Sequence, residues 1–194
     1  MLSQVRQDIQ DFFYTKDWYR HARSEIVKLY GDNADRFILI LAATSPRQGV
    51  RANWTRAKRA FSAWKLHGKN ADYSNFMLSH RKNLDRIKAA EDLHPDIISG
   101  QKVRAFAANL MGNLDRVTVD MWMMQYFGYE TVNARVYEHI ENKVRGLAHQ
   151  HGFLAAELQA VLWSAIRCRA GYKPATFLIA SAGDHQLNFD FMEC

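Results

Sequence analysis

The run Phe37-Ile38-Leu39-Ile40-Leu41-Ala42-Ala43 is apolar at every position. An apolar run this short is compatible with a buried strand as well as with a buried helix. Asn33 and Asp35 stand just before it, and both residue types favour the start of a helix. A helix that is apolar on all sides is buried on all sides. We therefore predict that this segment is the central, fully buried helix of the domain.

Apolar residues recur at spacings of three and four along most of the remaining chain, which is the period of amphipathic helices. The three prolines, Pro46, Pro95 and Pro174, stand where such helices should begin or end. Near the end of the chain, 176–180 could be a short strand or an extended packing segment. We predict a single all-α domain over 1–194 with roughly seven or eight helices. Besides the central helix, the clearest are expected at 17–31, 49–66, 101–111, 136–147 and 154–166.

The composition sets limits on the kind of protein. The 194 residues are 48% hydrophobic, which suffices for one folded core. No apolar run approaches the ~18 residues of a membrane span, and the first residues lack the apolar core of a signal peptide. Cys168 and Cys194 are too few for a cysteine zinc site or an iron–sulfur cluster. We expect a monomer in the cytoplasm without a membrane association, a metal or a cofactor.

Positive charge is concentrated in one part of the chain. The net charge is +6, and no Asp or Glu occurs between residues 36 and 71. A basic segment within a folded domain is typical of proteins that bind a polyanion such as DNA, in duplex or single-stranded form. A merely solvated basic face is the alternative. The basic residues of this segment are Arg36, Arg47, Arg51, Arg56, Lys58, Arg59, Lys65 and Lys69.

Three short segments carry residues suited to chemistry on DNA. The first, Ser45-Pro46-Arg47-Gln48, is a polar turn after the central helix, and the second, Ser99-Gly100-Gln101-Lys102-Val103, is a turn that enters a helix. The third, Val117-Thr118-Val119-Asp120, brings an aspartate to the start of a helix. A carboxylate can stabilise the positive charge that develops on a sugar when its base leaves. A desolvated lysine can lose its proton and attack the sugar.

In this order and spacing the three segments resemble the helix-hairpin-helix superfamily of DNA glycosylases. The resemblance spans about residues 33–130. It implies two helical lobes with a cleft between them, one of about 32–128 and the other of about 1–31 plus 131–194. It also implies that a nucleotide is flipped out of the DNA. Lys102 and Asp120 would then be catalytic, and the DNA would be bound by Ser45, Arg47, Gln48, Arg51, Arg56, Arg59, Gly100, Gln101 and Arg104.

Two departures from the family pattern indicate a divergent branch. Ile98 replaces the first hairpin glycine, and Trp122 follows the aspartate where the family has small or histidine residues. Some glycosylase-like proteins of viruses that hypermodify thymine are thought to transfer groups onto a base. Three functions stay open. The first is a DNA glycosylase, acting as a hydrolase or as a glycosylase/lyase. The second is a transferase that modifies a flipped pyrimidine, and the third is a non-catalytic DNA-binding module. Such a protein would work beside the nucleoid or, if viral, in the host cytoplasm.

Overall fold

The computed structural model describes residues 2–172, which form nine α-helices, four short 3-10 turns and no strand. The predicted all-α class is confirmed for this part of the chain, and the suggested strand at 176–180 lies outside it. In chain order the helices are α1 (Leu2–Phe12), α2 (Trp18–Tyr30), α3 (Ala34–Thr44), α4 (Val50–His67), α5 (Leu78–Ala89), α6 (Gln101–Leu110), α7 (Met121–Tyr126), α8 (Ala134–His151) and α9 (Ala155–Arg169).

Helix α3 is the central helix that the apolar run predicts. Ten of its eleven residues are buried, and only Asp35 reaches the surface to a larger extent. The helix packs against α2, α4, α5 and α6. Its C-terminal end is joined to α4 by a buried pair of side chains, since Thr44 donates to the Asn53 oxygen at 2.7 Å and the Asn53 amide donates to the Leu41 carbonyl at 3.1 Å.

The other helices begin and end close to the positions expected from their apolar stripes. Asp17 and Asn33 stand at N-cap positions, but neither side chain accepts a backbone N–H. Asp17 instead accepts a hydrogen bond from Arg20 at 2.7 Å. Helices α1 and α5 lie outside the helix ranges predicted above. The residues that they bury are few and partly polar, namely Val5 and Asp8 in α1 and His80, Asn83, Leu84 and Ile87 in α5.

Within residues 2–172, the buried apolar side chains form two clusters. The first is built on α3 and includes side chains of α2, α4, α5 and α6. The second joins α1, residues 117–119, α7, α8 and α9. Helix α2 was expected in the lobe of 1–31 plus 131–194, but it packs in the first cluster. Residues 117–124 were expected in the lobe of 32–128, but they pack in the second cluster. The two clusters therefore do not coincide with the expected lobes. The division into two lobes stays a prediction.

Arg36 is a core residue, although it belongs to the basic stretch of the sequence. It is 9% exposed, and its guanidinium lies 4.4 Å from the centre of the Trp64 ring. It donates hydrogen bonds to the carbonyls of Ile87 and Ala90, the latter at 2.8 Å. The last carbonyls of a helix lack partners within the helix, and Arg36 supplies them for α5. Arg36 is therefore not part of the exposed basic surface.

We predict that Arg36→Met lowers the free energy of unfolding by about 2–4 kcal/mol, because a buried carbonyl and a partly buried one lose a charged donor. Chemical denaturation followed by circular dichroism measures the change. Arg51→Met is the matched control, since Arg51 is exposed on α4 and should change stability by no more than ~0.5 kcal/mol. Equal effects of the two substitutions would contradict the structural role of Arg36.

Candidate active site

The turn between α5 and α6 is held by a side chain of α5. The buried Asn83 accepts from the Ser99 backbone N–H at 2.8 Å and donates to the Ser99 carbonyl at 3.1 Å. Gly100 follows with φ of 100°, a conformation that side chains other than glycine rarely adopt. The sharp turn at Gly100 starts α6 and places Lys102 in its first turn. Lys102 is thereby fixed by backbone geometry rather than by its own contacts.

The Lys102 ammonium is drawn into the protein and has few partners there. The side chain is half-buried, and Nζ donates to Ser45 Oγ at 3.4 Å. Desolvation lowers the pKa of Lys102, while the negative charge of Asp120 opposes that effect. A lysine with a lowered pKa is neutral, and hence nucleophilic, in a larger fraction of molecules.

Asp120 is held by three hydrogen bonds. Its Oδ1 accepts from the backbone N–H groups of Trp122 and Met123, both at 3.0 Å, and thereby caps α7. Its Oδ2 accepts from the indole N–H of Trp163 on α9 at 2.9 Å. Aspartate is a common cap at the start of a helix. The same carboxylate caps the helix and lines the pocket described next.

Lys102 and Asp120 line one pocket where the two hydrophobic clusters meet. The centres of water-sized molecules can occupy about 80 Å³ of it, so the pocket is small. Four aromatic and seven polar side chains line it. The aromatic residues are Trp18, Tyr19, Phe106 and Trp163, and the polar ones are Ser45, Gln48, Asn53, Lys102, Thr118, Asp120 and Gln159.

The polar turn after α3 contributes both to the pocket and to the surface. Ser45 and Gln48 line the pocket, and the Gln48 oxygen accepts from Arg56 Nε at 2.9 Å. Arg47 is exposed and has φ of 60°. His80 is fully buried below the turn, where its Nε2 lies 3.1 Å from the Pro46 carbonyl and burial lowers its pKa. The neutral ring then donates to Pro46 and keeps the turn in place.

The remaining predicted DNA-binding residues lie outside the pocket. Arg51, Arg59, Gly100 and Gln101 are exposed, and Arg56 and Arg104 are half-buried. Arg56 is engaged by Gln48. The structure therefore divides the predicted set into pocket residues, namely Ser45, Gln48, Lys102 and Asp120, and surface residues, namely Arg47, Arg51, Arg56, Arg59, Gly100, Gln101 and Arg104.

Several pocket residues were not predicted from the sequence. Gln159 and Trp163 are four positions apart on α9 and therefore share one face of that helix. Trp163 also stacks against Arg167, whose guanidinium carbon lies 4.5 Å from the centre of the indole ring. Tyr19 and Phe106 fit apolar helix stripes and read as ordinary core. Tyr19 and Phe106 are recognised as pocket residues only once the folded structure shows that they lie side by side.

Together, the fold and the pocket define an all-α protein with an aromatic pocket that holds a lysine and an aspartate. The chain belongs to a family of unknown function, DUF7178, whose model matches residues 8–170. Neither the curated proteins nor the solved structures include a significant match. Within residues 2–172 no helix is long and apolar enough to cross a membrane, and no three potential metal-ligating side chains cluster.

We predict that Lys102→Met stabilises the protein by about 1 kcal/mol at neutral pH, because it removes a poorly solvated ammonium from a functional pocket. Since the pKa of Lys102 is lowered from 10.5, the unfolded state binds more protons at high pH and the wild type gains stability as the pH rises. The difference in the free energy of unfolding between Lys102→Met and the wild type should therefore become smaller toward pH 10. Thermal and chemical denaturation at several pH values measure it.

Lys58→Met is the control for this prediction, because Lys58 is exposed on α4. We expect it to leave stability within ~0.5 kcal/mol of the wild type at every pH. Destabilisation by Lys102→Met would mean that the ammonium holds the pocket together instead of straining it.

Proposed function

We propose that this protein acts on a single base of DNA, which it flips into the pocket before cleaving the bond between base and sugar. This is the activity of the helix-hairpin-helix DNA glycosylases, which the sequence resembles. The observation that carries the proposal is the position of Lys102 and Asp120 in one aromatic pocket. The turn at Gly100, which follows the 3-10 turn Pro95–Ile97 and leads into α6 with Lys102 just after it, supports the resemblance.

The aromatic wall of the pocket suits a flat ring. Trp18 contacts Trp163 and Phe106, with both ring centres 6.3 Å away and interplanar angles of 56° and 35°. Because these rings pack against each other, a base would stack on them with one face. Such stacking contributes about 1–3 kcal/mol per base. The sugar of the flipped nucleotide would then lie at Lys102 and Asp120.

Lys102 and Asp120 have different roles in the proposed reaction, since the first is the nucleophile and the second stabilises positive charge. The neutral Lys102 Nζ donates its lone pair to sugar C1′, while the C1′–N bond breaks and its electron pair leaves with the base, which takes up a proton. Loss of a proton from nitrogen and opening of the C1′–O4′ bond, with a proton added to O4′, gives a Schiff base. The fixed carboxylate of Asp120 stabilises the positive charge that develops on the sugar.

The exposed basic residues would bind the DNA around the flipped nucleotide. Arg51 and Arg59 project from α4, and arginines on such a surface neutralise phosphates without reading the sequence. Arg47 is exposed at the turn beside the pocket, and we assign it the task of filling the gap that the flipped base leaves. Gln48 is held at the pocket by Arg56 and is the second residue expected there.

Mass spectrometry of nucleosides after incubation with DNA that carries unusual bases tests the proposed function. Loss of a base is the expected result for a glycosylase. A gain in mass on a base would instead support a transferase built on the same pocket. An unchanged nucleoside profile with intact DNA binding would support the non-catalytic DNA-binding module and overturn the proposed activity.

We predict that DNA affinity falls with salt with a log–log slope of about −3 to −4, as for ~4 neutralised phosphates. Replacement of Arg51 and Arg59 together by Gln should weaken binding to all sequences and flatten the slope by about 2. The control replaces Arg6 and Arg135, which are exposed on α1 and α8. Fluorescence anisotropy at several salt concentrations measures both. Equal loss in the two double variants would contradict a specific DNA-binding face.

We predict that borohydride traps a covalent adduct of the wild type with a suitable DNA substrate, because it reduces the Schiff base on Lys102. Lys102→Ala should abolish trapping and leave DNA affinity within a few-fold, since one charge contributes modestly to binding. Lys58→Ala should still be trapped. A gel that separates protein–DNA adducts gives the result. Trapping that survives Lys102→Ala would place the nucleophile elsewhere, and base loss without trapping would indicate attack by water.

We predict that Asp120→Asn slows base release on the order of 10²-fold, because it removes the charge that faces the developing cation. The amide oxygen can still cap α7, so the loss of stability should be only ~1 kcal/mol. Asn133→Ala is the control, since Asn133 caps α8 through a bond of 2.9 Å from Val136. It should lower the melting temperature similarly without slowing base release. If Asp120→Asn and Asn133→Ala release the base at similar rates, Asp120 is not a catalytic residue.

A further inference from the structure

A continuous chain of buried polar side chains ends at the pocket. Asn109 Nδ2 donates to Thr118 Oγ1 at 3.2 Å. The Thr118 hydroxyl lies 3.1 Å from the Tyr19 hydroxyl, which in turn lies 2.6 Å from Gln159 Oε1. All four residues are at most 6% exposed, and the last three line the pocket. The mechanism proposed above uses none of them.

The number of protons fixes the direction of this chain. Tyr19 has one hydroxyl proton, and burial raises its pKa to about 12, so the proton stays on the oxygen. Gln159 Oε1 can only accept, so Tyr19 donates to Gln159. Thr118 must then donate to Tyr19, while it accepts from Asn109. The hydroxyl protons of Thr118 and Tyr19 are thus both used within the series. The hydrogen bond from Tyr19 sets the orientation of the Gln159 carboxamide.

The other end of the carboxamide is left for a ligand. Gln159 Nε2 makes no hydrogen bond within residues 2–172, yet Gln159 lines the pocket. The amide therefore presents two N–H donors to whatever occupies the pocket, and no acceptor. Nε2 is open to water from the pocket. A ligand that displaces this water without supplying an acceptor leaves the donor buried and unpaired, at a cost of about 1–3 kcal/mol. A ligand with an acceptor at this point is therefore favoured.

Tyr19, Thr118 and Gln159 form the floor of the pocket, because they are more deeply buried than Lys102 and Asp120. The sugar of a flipped nucleotide must stay with the two charged residues, so the edge of the base opposite the sugar meets the floor. In uracil and thymine that edge carries a carbonyl at position 4, which accepts a hydrogen bond. In cytosine it carries an amino group, which would face the Gln159 amide donor to donor.

We infer that Gln159 selects a keto pyrimidine, of the uracil or thymine class, against cytosine, and that Tyr19 is the positioning residue that orients the Gln159 amide. This inference rests on the proposed function, because it assumes that a flipped base enters the pocket. Sites that hydrogen-bond a defined group of the substrate reject analogues that leave buried polar groups unpaired. The expected discrimination is at least tenfold in affinity.

Two DNA duplexes that differ only in the target base provide the test. Each carries uracil or cytosine opposite an abasic analogue, so that neither base is paired, with 2-aminopurine beside it as a fluorescent reporter of flipping. A 2′-fluoro group on the target sugar slows cleavage, so that binding is measured at equilibrium. For the wild type we expect a Kd at least tenfold lower for the uracil duplex, with a rise in fluorescence on binding.

Gln159→Met removes the amide at similar size, and we expect the ratio of the two Kd values to fall to about one. Tyr19→Phe keeps the amide but frees it to rotate, and the ratio should fall in the same way while binding is retained. Tyr126→Phe is the matched control, because it also removes a hydroxyl group that hydrogen-bonds, at 2.5 Å to Asp8, away from the pocket. Its ratio should equal that of the wild type.

The outcomes separate this inference from the proposed function. No fluorescence change with either duplex would overturn base flipping, and with it both proposals. A fluorescence change with equal affinity for uracil and cytosine would overturn the role of Gln159 alone. A ratio that survives in both Gln159→Met and Tyr19→Phe would do the same, and the second variant keeps the test valid if the first does not fold.

Discussion

The fold depends on the burial of α3 on every side. Five consecutive large side chains, from Phe37 to Leu41, are at most 1% exposed, and each contributes roughly 1.5–3 kcal/mol when it leaves water. A helix without a solvent face must be covered by others all round, which dictates how α2, α4, α5 and α6 are placed. Its two ends are the only parts that can present polar groups. The turn at its C-terminal end does so at the pocket.

The pocket lies at the junction of two hydrophobic clusters, and this position accounts for its chemistry. Side chains from both clusters lose water there without being fully packed, so polar groups such as Asp120 need fixed partners. Asp120 obtains them from the α7 backbone and from Trp163, whereas within residues 2–172 Lys102 makes a single long hydrogen bond, to Ser45. The carboxylate is therefore held firmly in place and the amine only loosely.

Sequence patterns predicted the part of this arrangement that depends on neighbours along the chain. The buried α3, the amphipathic α4 and the start of α6 at Gly100 follow from local spacing and residue type, as does the Asp120 cap. The contacts of Trp163 with Asp120 and of Tyr19 with Gln159 join residues 43 and 140 positions apart, and no local pattern encodes them. Arg36 also looked like a surface charge, because the carbonyls it binds belong to a distant helix.

Arg47 shows how the fold treats one exposed position. Within residues 2–172 it is the single residue other than glycine with a positive φ, and an L-residue in that conformation is less favourable than glycine by about 1 kcal/mol. Glycine or asparagine would satisfy the backbone better. The turn after α3 therefore stores a small amount of backbone strain directly beside Ser45 and Gln48, which line the pocket.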